Sequence, residues 1–209
     1  MATKKRTASS SKRDAVLDEA ESHFAAAGFA GASLSAIARG VGIGNPTLLH
    51  HFSSKEALYR AVLERIATEL TAVLTDHLRD KVDPLERLHG FVRAQIVWIA
   101  DRPMAFTLIQ RELLDNAERV RSARRFPLRG YLETAIEVVS RAADAASIKR
   151  DIPPVAILCI LLGSISYAHT VRPTFAESLK LATLQQRASW LDIIGSSVLR
   201  LLEDTPVRT

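Results

Sequence analysis

A chain of 209 residues, 47% of them hydrophobic, can bury a sizeable core as one domain or two small ones. Its formal charge of +5 is uneven: residues 1–13 hold Lys4, Lys5, Arg6, Lys12 and Arg13 with no acid, which fits attraction to nucleic acid and equally a plain solvated terminus. The single cysteine, Cys159, excludes an internal disulfide and a thiolate metal cluster, and a basic start without an apolar leader points to the cytoplasm.

Taken along the chain, the apolar pattern predicts helices. Gly and Pro number only 9 and 8, many prolines sit where apolar periodicity breaks, and strand-type alternation is scarce. The expected fold class is therefore all-α, with about nine helices. The first runs from about Lys12 to Ala27 on Val16, Leu17, Ala20, Phe24 and Ala27, and Gly28 stops it. Ser33 is placed to cap a short helix, Ser35–Val41, whose inward face is Leu34, Ile37, Ala38 and Val41. Gly42 supplies the positive φ of a tight turn, and Ile43 should tuck between the two helices it joins. A third helix, Asn45–His51, opens with Pro46 in its first turn, where a missing N–H costs little. Phe52 ends it. Ser53 to Glu56 has capping-box spacing and begins a long helix with Leu58, Val62, Ile66, Leu70, Val73 and Leu74 as its stripe, to about Leu78.

Asp83 caps the next helix, which buries Leu85, Leu88, Val92, Ile96 and Ile99 until Arg102-Pro103 breaks it. Another follows to about Leu114, and one more runs from Pro127 to about Ala146. Pro153-Pro154 opens an apolar helix to about Thr170, which Arg172-Pro173 should close, and the last helix spans about 184–202. The run Val155–Leu162 is too short to cross a bilayer and is expected to be buried.

Two short helices joined at a glycine have helix-turn-helix dimensions, though an ordinary helical corner shares that spacing. The residues themselves carry more. Phe24, Gly28-Phe29, Ser33, Ile37-Ala38, Gly42-Ile43, Thr47-Leu48, His50-His51-Phe52 and Lys55-Glu56-Ala57-Leu58 follow one another at the intervals of the TetR DNA-binding domain, which residues 12–66 resemble. The resemblance implies a basic disordered arm at 1–11, a three-helix DNA-binding domain at 12–60 and a helical ligand-sensing and dimerisation domain at 61–209. It also implies that the Asn45–His51 helix enters the major groove of double-stranded DNA.

On that reading Asn45 reads an adenine or guanine edge and Pro46 meets a thymine methyl. Thr47, His50, His51 and Lys55 suit phosphate contact, and Ser33 and Ser35 suit phosphate or base contact. Each has a second reading: Pro46 and Thr47 shape a helix start, His51 packs beside Phe52, Ser33 only caps, and Leu48 is core. Two residues depart from the family pattern. Leu49 stands where a phosphate-binding Tyr is usual, and Gly44 replaces a capping Ser or Thr, so Leu49 enters the DNA-facing set as an apolar member.

For the remainder the resemblance implies homodimerisation through the helices at about 153–170 and 184–202, with Gly163-Ser164 and Gly195-Ser196-Ser197 permitting close approach. Trp98, Phe106, Gln110, Tyr131, Tyr167 and His169 are the candidate lining of a small-molecule site, although an aromatic at helical spacing is more often plain core. Arg111, Arg119, Arg121, Arg124, Arg125 and Arg129 cluster as an anion site or a solvated basic face. No cofactor, metal site or membrane partner is expected. A ligand-released repressor is the leading function; an activator of the same family, a helical enzyme and a protein-binding adaptor are the alternatives. Against an enzyme, Cys159 has no neighbouring base, the six histidines are scattered, and no Gly-rich phosphate loop appears.

Overall fold

The computed structural model describes residues 12–115, 126–149 and 151–203. The expected arm at 1–11 and the arginines Arg119, Arg121, Arg124 and Arg125 lie outside that range. Among the described residues the architecture is all-α: α1 Lys12–Gly31, α2 Leu34–Gly40, α3 Asn45–His51, α4 Lys55–Leu78, α5 Pro84–Asp101, α6 Pro103–Asp115, α7 Arg129–Asp144, α8 Pro154–Leu179 and α9 Arg187–Leu202. A single 3-10 turn at Ala182–Leu184 precedes α9, and a lone antiparallel bridge joins Ile148 to Glu203.

The chain forms two compact units. One gathers the described residues of Met1–Ile66 and Met104–Pro127, the other Ala67–Pro103 and those of Leu128–Thr209. This differs from the single boundary expected near residue 60, because α6 groups from Met104 onward with α1, α2 and α3.

In the first unit Val16, Leu17, Ala20 and Phe24 of α1 are buried as the periodicity predicts, whereas Ala27 is exposed. Gly28 follows it, and its φ of 69° and ψ of 177° break the helix there. Phe24 sets its ring edge-on to Tyr59 of α4 at 4.8 Å. Arg65 of α4 spreads its guanidinium over two acids of α1, Asp18 at 2.6 Å and the buried Glu21 at 2.8 Å. Tyr59 in turn donates to the buried Glu112 of α6 at 2.6 Å, and Arg111 of α6 donates to the Ala26 carbonyl at 3.3 Å. The cap of α4 falls on Ser54, which accepts from the Ala57 amide at 3.1 Å. That is one residue later than the Ser53 expected, because Phe52 is extended at φ −139° and is itself the C-cap of α3.

In the second unit α5, α7, α8 and α9 pack on one another. Asp83 accepts from the Glu86 amide at 2.9 Å and caps α5 as expected. One expectation about α8 is overturned. The helix does not end before Arg172-Pro173 but runs through Pro173 to Leu179, because the imide costs one backbone bond while Arg172 gains one to the Leu184 carbonyl at 2.8 Å. The run Val155–Leu162 divides within the single chain. Ile157, Leu158 and Leu161 face inward, whereas Val155, Cys159 and Ile160 are exposed. At 26 residues α8 is long and apolar enough to cross a membrane by length and composition, and only 28% of its most apolar stretch is buried.

Candidate nucleic-acid interface

Three local devices set the attitude of α3. Ser33 accepts from the Ala36 amide at 3.4 Å and starts α2. Gly42, at φ 71°, reverses the chain, and the Ile43 amide then bonds back to the Ala38 carbonyl at 3.0 Å. Ile43 is half-buried between the helices, as its position predicts. Leu48 finally anchors α3 by full burial. With Leu48 inward, Pro46 and His50, two residues to either side of it, turn to the opposite face, and Asn45, Thr47 and Leu49 stand exposed on the flanks.

The nine DNA-facing candidates divide by what holds them. Asn45 donates from Nδ2 to Ser35 Oγ at 2.7 Å, so the start of α3 is tied to the start of α2. Pro46, Thr47 and His50 are exposed, and Leu49 keeps 44% of its surface. His51 is half-buried, its ring 5.8 Å from that of His50. Ser33 is exposed while capping α2, so capping and contact with a ligand are compatible there. Lys55 is different. Its ammonium donates to the Ala30 carbonyl at 3.1 Å and sits 4.9 Å from the Phe29 ring centroid, which fixes the end of α1 to the start of α4. Two of its three N–H groups remain for a phosphate. Gly44 makes no side-chain cap bond, as a residue without a side chain must. Arg13, absent from the candidate set, lies over the Phe52 ring at 5.0 Å; its only sequence signal was membership of the basic stretch.

The six candidate ligand residues do not fall in one unit. Phe106 and Gln110 belong to the first; Trp98, Tyr131, Tyr167 and His169 belong to the second. Within the second, Trp98 and Tyr131 are buried, His169 is half-buried, and Tyr167 is 65% exposed on α8. Tyr167 thus lies on the outward side of its helix, since Leu161, Ile165 and Ala168 take the inward one. Burial raises the Tyr131 phenol well above its ordinary pKa, so it stays protonated. Gln95 of α5, which the sequence reading passed over, is buried to 5%. Among the described residues no group of His, Cys, Asp and Glu could hold a metal ion.

Residues 16–62 match the family described as bacterial regulatory proteins, tetR family. The chain is similar to the HTH-type transcriptional regulator RutR of Escherichia coli, 36% identical over 114 residues, covering 54% of this chain and 53% of RutR. It is similar to the HTH-type transcriptional repressor KstR2 of Mycobacterium tuberculosis, 32% identical over 123 residues, covering 59% and 58%. The chain thus spans little more than half the length of these relatives in sequence. In structure the likeness to KstR2 extends over 95% of this chain and 98% of that one, with a TM-score of 0.68 at 22% identity. A transcriptional regulator FadR from Bacillus subtilis, solved in complex with stearoyl-CoA, gives 0.72 at 18% identity over 91% and 97%. At those identities the likeness is one of fold.

Proposed function

We propose that the chain is a TetR-type DNA-binding transcriptional regulator, a homodimeric repressor released from its operator by a small molecule. The observation that carries this reading is α3: Leu48 buried, and Asn45, Pro46, Leu49 and His50 exposed around the rest of the helix, with Asn45 steadied by Ser35. Such a helix presents one polar amide and two apolar groups to a major groove, while Thr47, His50, His51 and Lys55 approach the flanking phosphates. Ser33 and Ser35 join them from α2.

Dimerisation rests on α8 and α9. Ile160, Gly163 and Tyr167 form one exposed line along α8, Ile193 and Leu201 are exposed on α9, and these two helices pack on each other. A Cβ at Gly163 would meet nothing within 4 Å, so a second copy's helix has room to approach there. Gly195 does not share that role, because a Cβ on it would meet Ile96 and Val92 of its own chain at 2.9 Å. A two-fold dimer reads a pseudo-palindrome, half-sites falling in successive major grooves. A small molecule that favours the conformation with wrongly spaced α3 helices weakens operator binding by the factor with which operator weakens its own. Repression is preferred because KstR2 carries that name. An activator would use the same groove contacts and differ in where its operator lies.

The test is fluorescence anisotropy on duplex DNA from around the chain's own gene, against scrambled DNA, over a salt series. Selective binding that Asn45→Ala relaxes supports the reading. Equal, weak binding to both duplexes, repeated on sequences enriched from a random pool, overturns it.

A further inference from the structure

Among the described residues five buried side-chain nitrogen or oxygen atoms lack a hydrogen-bond partner, and three of them, Gln95 Nε2, Trp98 Nε1 and Tyr131 Oη, share one seam of the second unit. The other two are the Nε atoms of Arg65 and Arg87, whose guanidinium groups already donate through their terminal nitrogens. Phe91, Gln95 and Trp98 recur at i, i+4 and i+7, so they lie along one face of α5. Tyr131 of α7 joins that face, its ring stacked on Phe91 with centroids 6.5 Å apart. Gln95, Trp98 and Tyr131 keep only 5%, 3% and 4% of their surface. An unpaired buried donor costs stability, and three on two packed helices call for partners.

We propose that this α5–α7 seam binds a neutral, largely apolar molecule through hydrogen-bond acceptors, such as carbonyl, ester or ether oxygens. It deepens the sensor reading above and rests on it. An indole N–H donates only, an amide NH2 donates, and the Tyr131 hydroxyl stays protonated by burial, so the seam offers donors and asks for acceptors. Free positive charge is what its two helices lack. Every cationic side chain on α5 and α7 is already engaged: Arg87 with the Leu78 and Lys81 carbonyls, His89 with Glu203, Arg93 with Asp192, Arg129 with Glu133 and Arg141 with Glu137. A carboxylate entering the seam would meet donors but no free counter-charge from α5 or α7, and an unpaired buried charge is disfavoured far more than a neutral oxygen.

The chain has two tryptophans, so Trp190→Phe leaves Trp98 as the sole indole reporter. That variant is titrated with methyl dodecanoate and γ-dodecalactone, and with dodecanoate as the charged match. The expected result is a saturable change in Trp98 emission with the neutral probes and affinity for dodecanoate at least about tenfold weaker. Tyr131→Phe and Gln95→Leu should each weaken the neutral probes by about fivefold or more, the scale of one buried hydrogen bond. The same two substitutions should leave the melting temperature of the ligand-free chain unchanged or raised, since each removes an unpaired buried polar group. A lowered melting temperature means the groups are satisfied by internal water and overturns the proposal. So does tighter binding of dodecanoate, or silence from both neutral probes. Anisotropy on enriched DNA, run alongside, separates the two readings. A probe that binds without changing DNA affinity removes the sensor role and leaves the site; intact DNA binding with no probe response removes the site alone.

Discussion

The hydrogen bond from Asn45 to Ser35 orients the one amide on the exposed face of α3 before any DNA is present. Orientation fixed in advance lowers the entropy lost on binding. Ser35→Ala should therefore weaken binding to a selected operator by about three- to tenfold, while binding to scrambled DNA, which rests on phosphates, changes little. Equal weakening on both would mean Ser35 acts on phosphate instead. Tyr59→Phe probes the opposite side of the same unit. It deprives the buried Glu112 carboxylate of a donor at 2.6 Å. A charge-assisted bond of this kind is worth about 1–3 kcal/mol, and a urea titration followed by Tyr and Trp emission should show a loss of that size. An unchanged midpoint would place the Glu112 side chain's support elsewhere.

Gly42 shows why the DNA-binding elements were legible in sequence. At φ 71°, with open space around it, its requirement is purely one of backbone. Gly42→Ala should cost about 1–2 kcal/mol by strain alone and disturb the α2–α3 turn, so DNA affinity should fall further than stability. The same local logic exposed Ser33 as a cap, Asp83 as a cap and Leu48 as core, because each is decided within a few residues of chain. What sequence could not show is decided by distant partners. Pro173 reads as a stop until the bond from Arg172 to the Leu184 carbonyl is seen. Gly195 reads as an interface glycine until Val92 and Ile96 are found 2.9 Å from its missing Cβ. Gln95 reads as one polar residue in an apolar face, and only burial without a partner singles it out. The grouping of α6 with α1–α3 was invisible for the same reason, since Ala26 and Arg111, which bond across it, lie far apart in sequence. At the level of elements, Pro173→Ala should raise stability by about 1–3 kcal/mol with helix content nearly unchanged, because the helix already passes through that position. A clear gain in far-ultraviolet ellipticity would instead mean that α8 ends there.

For the whole molecule the decisive surface is the exposed side of α8. Ile160 and Tyr167 share one side of α8 at 42% and 65% exposure, and Val155 and Leu201 of α9 stand open at 61% and 71%, apolar surface that invites a cover. Two covers suit it: a second copy of the chain, or a lipid bilayer, for which α8 has the length and apolarity. The two demand different things of the buried side. A membrane-spanning helix satisfied by lipid all round has no use for Ile157, Leu161 and Ile165 packed inward against α7 and α9, or for the Trp190 indole bonded at 3.0 Å to the Ala168 carbonyl. A helix shared between its own bundle and a partner uses both faces, so the second copy is the better cover. Ile160→Asp should then leave the fold intact and convert a dimer to a monomer in sedimentation, since a carboxylate on each copy would meet its mate across a two-fold axis. Operator affinity should fall by two orders of magnitude or more (~10²-fold), because each half-site must then be bound without the effective concentration its neighbour supplied. Retention of a dimer by Ile160→Asp, or flotation of the unaltered chain with neutral vesicles, would move the interface away from α8.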